Sequence, residues 1–482
     1  MGFERQNFHL ACTCSGGVHA ETFRVSTISA KGMLVNLHVR KAIMKQHKGG
    51  ARRPQAFIWC LWIILVVAFP FTPPASGISL LPPEPAKPTF QDPSFLQGRL
   101  SLKKGDLPLA EQQFNQSLQE QPNNPWALIG LADVAVQRGT LTDAEPYLQR
   151  AVTVAPTNAQ VHQTWGRYLL FQKKYRQAES ALQHALQLDP NNVPAYIDLG
   201  DVYLSGFENP EKAINNYKQA LRLDTVNAGA YYALGSAFAK LGKFPQAEAY
   251  FLESSRLSPT LALPFQALGE LQASQKEFQK AKQNLSKAIE LDPTNYDAHL
   301  TLGDIHFSLN QDSQAIAAYQ TAVNVNPDLA VGYLKLGRIY EKIGEKGKAK
   351  QAYLRTIQAD PTEPIAYNNL AWMAAEENTN LDEALMWGEK AVSLTPDSPQ
   401  FHDTLGWVYR ARGEPAKAET ALQKSSKLDP EKAEVWFHLG IVLQEQGKDL
   451  NAKQAFQKAF DLGQDFPTKE QIETRLRALK KN

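Results

Sequence analysis

Cysteine, histidine and converging carboxylates are the side chains that ligate metals or attack substrates, and this sequence offers few of them in a usable pattern. Its cysteines are Cys12, Cys14 and Cys60. No cysteine lies beyond residue 60, so the rest of the chain has neither a disulfide framework nor a thiolate metal site. Cys12-Thr13-Cys14 lacks a second Cys or His cluster at ligand spacing. The later histidines are His162, His184, His299, His306, His402 and His438. Reading them as ligands requires carboxylates at matching spacing, and no metal site or cofactor is expected. There is no phosphate-cradling glycine loop, no Gly-x-Ser-x-Gly elbow and no His-Glu-x-x-His. No catalytic residue is expected, and the chain is not read as an enzyme.

Charge points the same way. Residues 1–55 hold nine Lys/Arg and two Glu, a net +7, against +2 for all 482 residues, which leaves 2 − 7 = −5 for residues 56–482. A nucleic-acid binder clusters its cations on a folded surface. Here they sit in a leader, so nucleic acid is not an expected partner.

The leader reads as an address. Residues 56–71, AFIWCLWIILVVAFPF, carry no charge and come after a basic stretch containing Lys45, Lys48, Arg52 and Arg53. That asymmetry keeps the basic side in the cytoplasm and directs the C-terminal part of the chain across a membrane. The run is short for a spanning helix, which needs roughly 20 residues, and long for a signal-peptide core of roughly 7–15. Segment 56–72 is therefore either a signal peptide, with small residues at Ala75-Ser76-Gly77, or a signal anchor. Residues 1–55 are read as a basic leader, either disordered or an over-long start. Segment 73–90 is a proline-rich linker that favours extended backbone. The expected location is exported, at the cell envelope, membrane-anchored or released beyond it.

From about residue 91 the sequence repeats. Eleven alanines, Ala110 through Ala452, recur at intervals of 34 residues, or 35 in two cases. A second small residue stands twelve or thirteen positions before each: Gly in nine repeats, Ala132 and Ala371 in the others. Twelve positions after, nine repeats have Pro; Thr225 and Gln464 depart. Within residues 230–259, Tyr231, Leu234 and Phe238 share one face of a first helix, Gly242 ends it, and Ala247, Phe251, Ser254 and Leu257 mark a second. Pro259 then stops the chain from continuing as helix. The small residues are expected to let paired helices approach closely. The extra residues of the long repeats fall in SGFENPE and EENTNLDE, between paired helices. Beyond residue 464, Thr468 and Gln471 form a capping-box pattern, and Ile472, Leu476 and Leu479 make one apolar stripe.

These residues resemble the tetratricopeptide repeat (TPR) family. Tyr333, Leu336-Gly337, Tyr340, Ala349, Tyr353, Thr356 and Pro361 carry the pattern throughout one copy. Trp436, Leu439-Gly440, Ala452, Phe456 and Ala459 carry it in another. The resemblance covers residues 91–464 and implies an all-α, right-handed superhelical solenoid of about eleven helix-turn-helix repeats, capped by a helix over 465–482. It is of the bacterial type that is exported or membrane-anchored. His162, His299 and His402 occupy the first aromatic position of their repeats and substitute for Tyr or Trp in packing.

The resemblance also implies where a partner sits. First-helix residues just after the small residue, and three before it, face the groove of TPR proteins. In this chain that lining is acidic in the middle (Asp201, Glu270 and Asp304, with Arg338 next) and apolar towards the end (Trp372, Trp407, Phe437, Ile441). The tryptophans are either anchors for a bound peptide or fillers between repeats. The expected function is a non-catalytic scaffold binding partner proteins or extended peptides. The alternative is an accessory subunit recruiting a transferase, protease or secretion machine. The sequence is silent on oligomeric state.

Overall fold

The computed structural model describes residues 92–463 and 468–479, all within one compact unit, Phe71–Asn482. The basic leader, the apolar run and the proline-rich stretch lie outside the described residues. So do the linker residues 464–467.

The described residues are all-helical, with no strand, and form eleven consecutive helix pairs and then a last helix. The chain is an α-solenoid. A representative pair is Ala330–Lys342 with Lys346–Ala359. Many first helices start with a side chain capping the free N–H groups; Asn124, Asn158, Asn192, Asn227 and Asn295 do so. Gly242, with φ 70°, turns the chain out of its first helix in the left-handed region, where a Cβ is unfavourable.

All eleven marker alanines are fully buried. The glycines do something more specific than bring backbones together. A Cβ on Gly337 would lie 2.4 Å from the ring of Tyr353, and one on Gly235 would lie 2.5 Å from Phe251. The space at each of the nine glycines is filled by the side chain four residues after its marker alanine. The two exceptions compensate. Repeat two carries Ala132 in place of the glycine and Leu148 at the matching position, both in the buried core. In repeat nine the second helix carries Gly388 there, and a Cβ on it would sit 3.8 Å from the Ala371 methyl.

The two 35-residue repeats absorb their extra residue differently. In repeat four the first helix ends in a π-helical turn, Val202–Gly206. In repeat nine, Asn378 and Asn380 take left-handed φ values of 51° and 50° in the turn itself. The last helix, Lys469–Ala478, opens on the anticipated capping box of Thr468 and Gln471 and buries Ile472. No helix among the described residues is long and apolar enough to cross a membrane.

Candidate functional site

First helices pack on their own second helices, and most also touch the first helix of the next repeat, so their side chains share an inner face. The first aromatic position anchors this layer in several repeats. His162 Nε2 lies 2.8 Å from the Pro156 carbonyl oxygen, and His402 Nε2 lies 2.8 Å from that of Pro396. Trp436 Nε1 donates in the same way to Pro430 at 2.9 Å. The histidines thus do a tryptophan's work, tying their own first helices to the end of the preceding repeat.

The acidic middle is real but unevenly neutralised. Asp198, 5% exposed, is met by Gln163 and by the Arg167 guanidinium, whose Nε lies 3.2 Å from each carboxylate oxygen. Asp304 accepts from the Tyr319 hydroxyl at 2.7 Å and pairs with Lys335 at 2.8 Å. Asp201 and Glu270 have weaker company. Asp201 accepts from Tyr217 at 2.6 Å and Glu270 from Gln266 at 2.8 Å. Both remain in contact with solvent. Desolvation pushes the Asp201 carboxyl up to about 7, opposed by the Tyr217 bond and reinforced by Asp198. Desolvation likewise raises Glu270 to about 7, opposed by Gln266 and reinforced by Asp297. Arg338, in the neighbouring repeat, is exposed.

These two carboxyls give the fold a pH dependence of known sign. In the folded chain they hold protons up to about 7 that an unfolded aspartate or glutamate releases near its ordinary value of 3.8 or 4.5. Their stabilising contribution is complete at low pH and is lost as pH rises through the window from about 4 to about 7. Asp201→Asn keeps the acceptor for Tyr217 and removes the charge. It is expected to stabilise the array by about 1 kcal/mol at pH 8, after allowance for screening, and by only about a third as much at pH 5. Thermal melts of wild type and variant at the two pH values check this; equal shifts at both would discard it.

The apolar end resolves into two classes. Phe437 and Ile441 are 7% and 5% exposed, so these expected groove residues are core instead. They belong to the terminal apolar cluster that the last helix completes with Ile472, Leu476 and Leu479. Trp372 and Trp407 are only half-buried. Their rings stack across repeats nine and ten, 6.0 Å apart and 20° from parallel. They are therefore both inter-repeat packing and accessible surface. Arg410 lies 4.4 Å over the Trp407 ring and is held by Glu445, while Trp407 Nε1 donates to Glu376 at 2.6 Å. This fixes the indole in place. Asn368, buried on the same face, has no hydrogen-bond partner for its carbonyl oxygen among the described residues.

One constellation is not apparent from the sequence. His438 Nδ1 lies 3.0 and 3.1 Å from the two oxygens of Asp403, one repeat earlier, and its ring lies 4.4 Å from that of Trp407. Glu434 joins them, with the ligating atoms of all three within 4.8 Å of one another. The one local signal is Glu434 and His438 at i, i+4 on one helix; Asp403 comes near only through the stacking of repeats.

Comparison with known proteins accords with this geometry. Models described as tetratricopeptide repeats match residues 101–164, 159–192, 209–242, 228–261, 272–335, 334–399 and 404–465. The chain belongs to the tetratricopeptide repeat family. Among curated relatives, the cellulose synthase operon protein C of Xanthomonas axonopodis pv. citri is 29% identical over 170 residues, covering 32% of this chain and 11% of the relative. Protein bimA of Emericella nidulans is 24% identical over 188 residues, covering 32% of this chain and 23% of the relative. The matched segments thus span less than a quarter of either relative. Among solved structures, yeast Tom70 aligns over 80% of this TPR chain and 95% of its own, with a TM-score of 0.37 and 16% identity. The Cut9–Hcn1 hetero-tetramer gives 81%, 97%, 0.42 and 14%.

Proposed function

We propose that this TPR solenoid is a non-catalytic scaffold that grips an extended segment of a partner protein along its first-helix face. The observation that carries the reading is the Trp372–Trp407 stack: two large rings that keep part of their surface in solvent, with Trp407 held by Arg410 and Glu376 and Trp372 stacked against it. Rigid aromatics lose little entropy on binding and make effective anchors. The solvent-reaching Asp201 and Glu270 carboxyls, several repeats earlier, favour a partner with Lys or Arg at its other end. Placement at the cell envelope, by a signal or anchor in residues 56–72, is part of the proposal and rests on the charge asymmetry of the leader. An accessory role beside a transferase, protease or secretion machine is the same binding chemistry with a different partner. The relative named cellulose synthase operon protein C is consistent with such a role.

A photo-crosslinking residue at Trp407 in cells tests the reading, with one at the exposed second-helix residue Lys424 as control. The expected result is a discrete partner captured from Trp407 only. Equal yields from both positions would overturn the groove assignment.

A further inference from the structure

Two of the buried aspartates on the first-helix face, Asp198 and Asp403, are treated differently. Asp198 has a guanidinium, a permanent cation, against it. Asp403, 3% exposed, has His438, itself 3% exposed, as its hydrogen-bond partner. A carboxylate offers about four lone-pair positions, and an imidazole supplies one proton at most to it and a charge only when doubly protonated. Burying a carboxylate without a cation is unfavourable. Glu434, one helical turn before His438 on the same face, brings a second carboxylate to the same spot and increases the negative charge there.

We propose that Asp403, Glu434 and His438 form a divalent transition-metal site that joins repeats ten and eleven. One imidazole nitrogen and two carboxylate oxygens are a borderline donor set suited to zinc rather than to magnesium or calcium, which prefer oxygen alone. A tetrahedral zinc ion with bonds of about 2.1 Å holds its ligand atoms roughly 3.4 Å apart. The His438–Asp403 pair, at 3.0 Å, is already close to that separation. Glu434 completes the set by a side-chain rotation. It is half-buried, and its present partner is Lys432 at 3.1 Å, a partly exposed ion pair that gives up little when broken. The ion supplies a permanent positive charge beside Asp403, as the Arg167 guanidinium does beside Asp198. Because the His438 ring lies 4.4 Å from Trp407, fixing His438 also reports on the tryptophan stack. The site stands independently of the peptide-binding reading.

The test is a zinc chloride titration of the metal-free full chain carrying Cys12→Ser, Cys14→Ser and Cys60→Ser, which removes the thiols. Calorimetry is expected to show one saturable site, with a rise in melting temperature and a change in tryptophan fluorescence. Glu434→Gln leaves the buried Asp403–His438 pair in place and is expected to weaken binding by about tenfold or more. Lys432→Ala, which frees Glu434, is expected not to weaken it. His438→Gln is expected to abolish binding, but the half-buried Glu434 variant keeps the test decisive if the histidine variant unfolds. Absence of saturable zinc binding, or unchanged affinity in Glu434→Gln, would overturn the proposal. So would equal occupancy by magnesium.

Discussion

Gly337→Ala is expected to destabilise the solenoid by about 1–3 kcal/mol, although alanine is the better helix former by about 0.5–1 kcal/mol. The added methyl would lie 2.4 Å from Tyr353 Cε1 and 2.6 Å from Cδ1. The ring has no room to retreat. Tyr353 is fully buried, and its hydroxyl donates to Glu341 at 2.7 Å. Overpacking therefore outweighs propensity. The chain itself indicates the remedy, since repeat two combines Ala132 with Leu148. Tyr353→Leu placed together with Gly337→Ala should recover part of the loss, giving a favourable coupling of about 1 kcal/mol in a double-mutant cycle. Denaturant unfolding of the four proteins measures it. A neutral or stabilising Gly337→Ala would refute the assignment of this glycine to ring accommodation.

The second large effect concerns binding. Trp407→Ala is expected to weaken capture of the partner by about 2 kcal/mol, roughly thirtyfold. It removes a ring that Trp372, His438 and Arg410 hold at 6.0, 4.4 and 4.4 Å and whose remaining surface is open. The ring also packs between repeats, so the variant loses some stability as well. Far-ultraviolet circular dichroism separates the two contributions. Retained helicity with weakened capture supports the anchor role. Retained helicity with undiminished capture makes the ring a packing element alone. Trp407→Phe, which keeps an aromatic face and loses the bond to Glu376, should fall between wild type and alanine.

How much of the molecule is legible in its sequence depends on the range over which each feature is set. The helix pairs are readable because a 34-residue period with small, aromatic and proline positions repeats eleven times, and each unit is specified by contacts inside itself. The burial of every marker alanine agrees with that pattern. The capping box at Thr468 is equally local. The role of the histidines at the first aromatic position is half-visible. Their packing can be read from the repeat, while the bonds to Pro156 and Pro396 need the turn that brings those carbonyls back.

Tertiary structure alone decided which inner-face residues meet solvent. Trp372, Trp407, Phe437 and Ile441 hold equivalent or neighbouring positions in their repeats, yet the last two are core. Phe437 stands three residues before its glycine, a position that is also buried at Ile129, Leu300 and Asn368, whereas Ile441 is covered by the terminal cluster around Ile472 at the end of the array. Only stacking brought Asp403 to His438 across 35 residues, and only stacking gave Asp198 its arginine while leaving Asp403 with an imidazole. A repeat sequence determines its unit, because the unit's own side chains fill it. The face that one unit presents to the next depends on a register between helices that no single repeat contains.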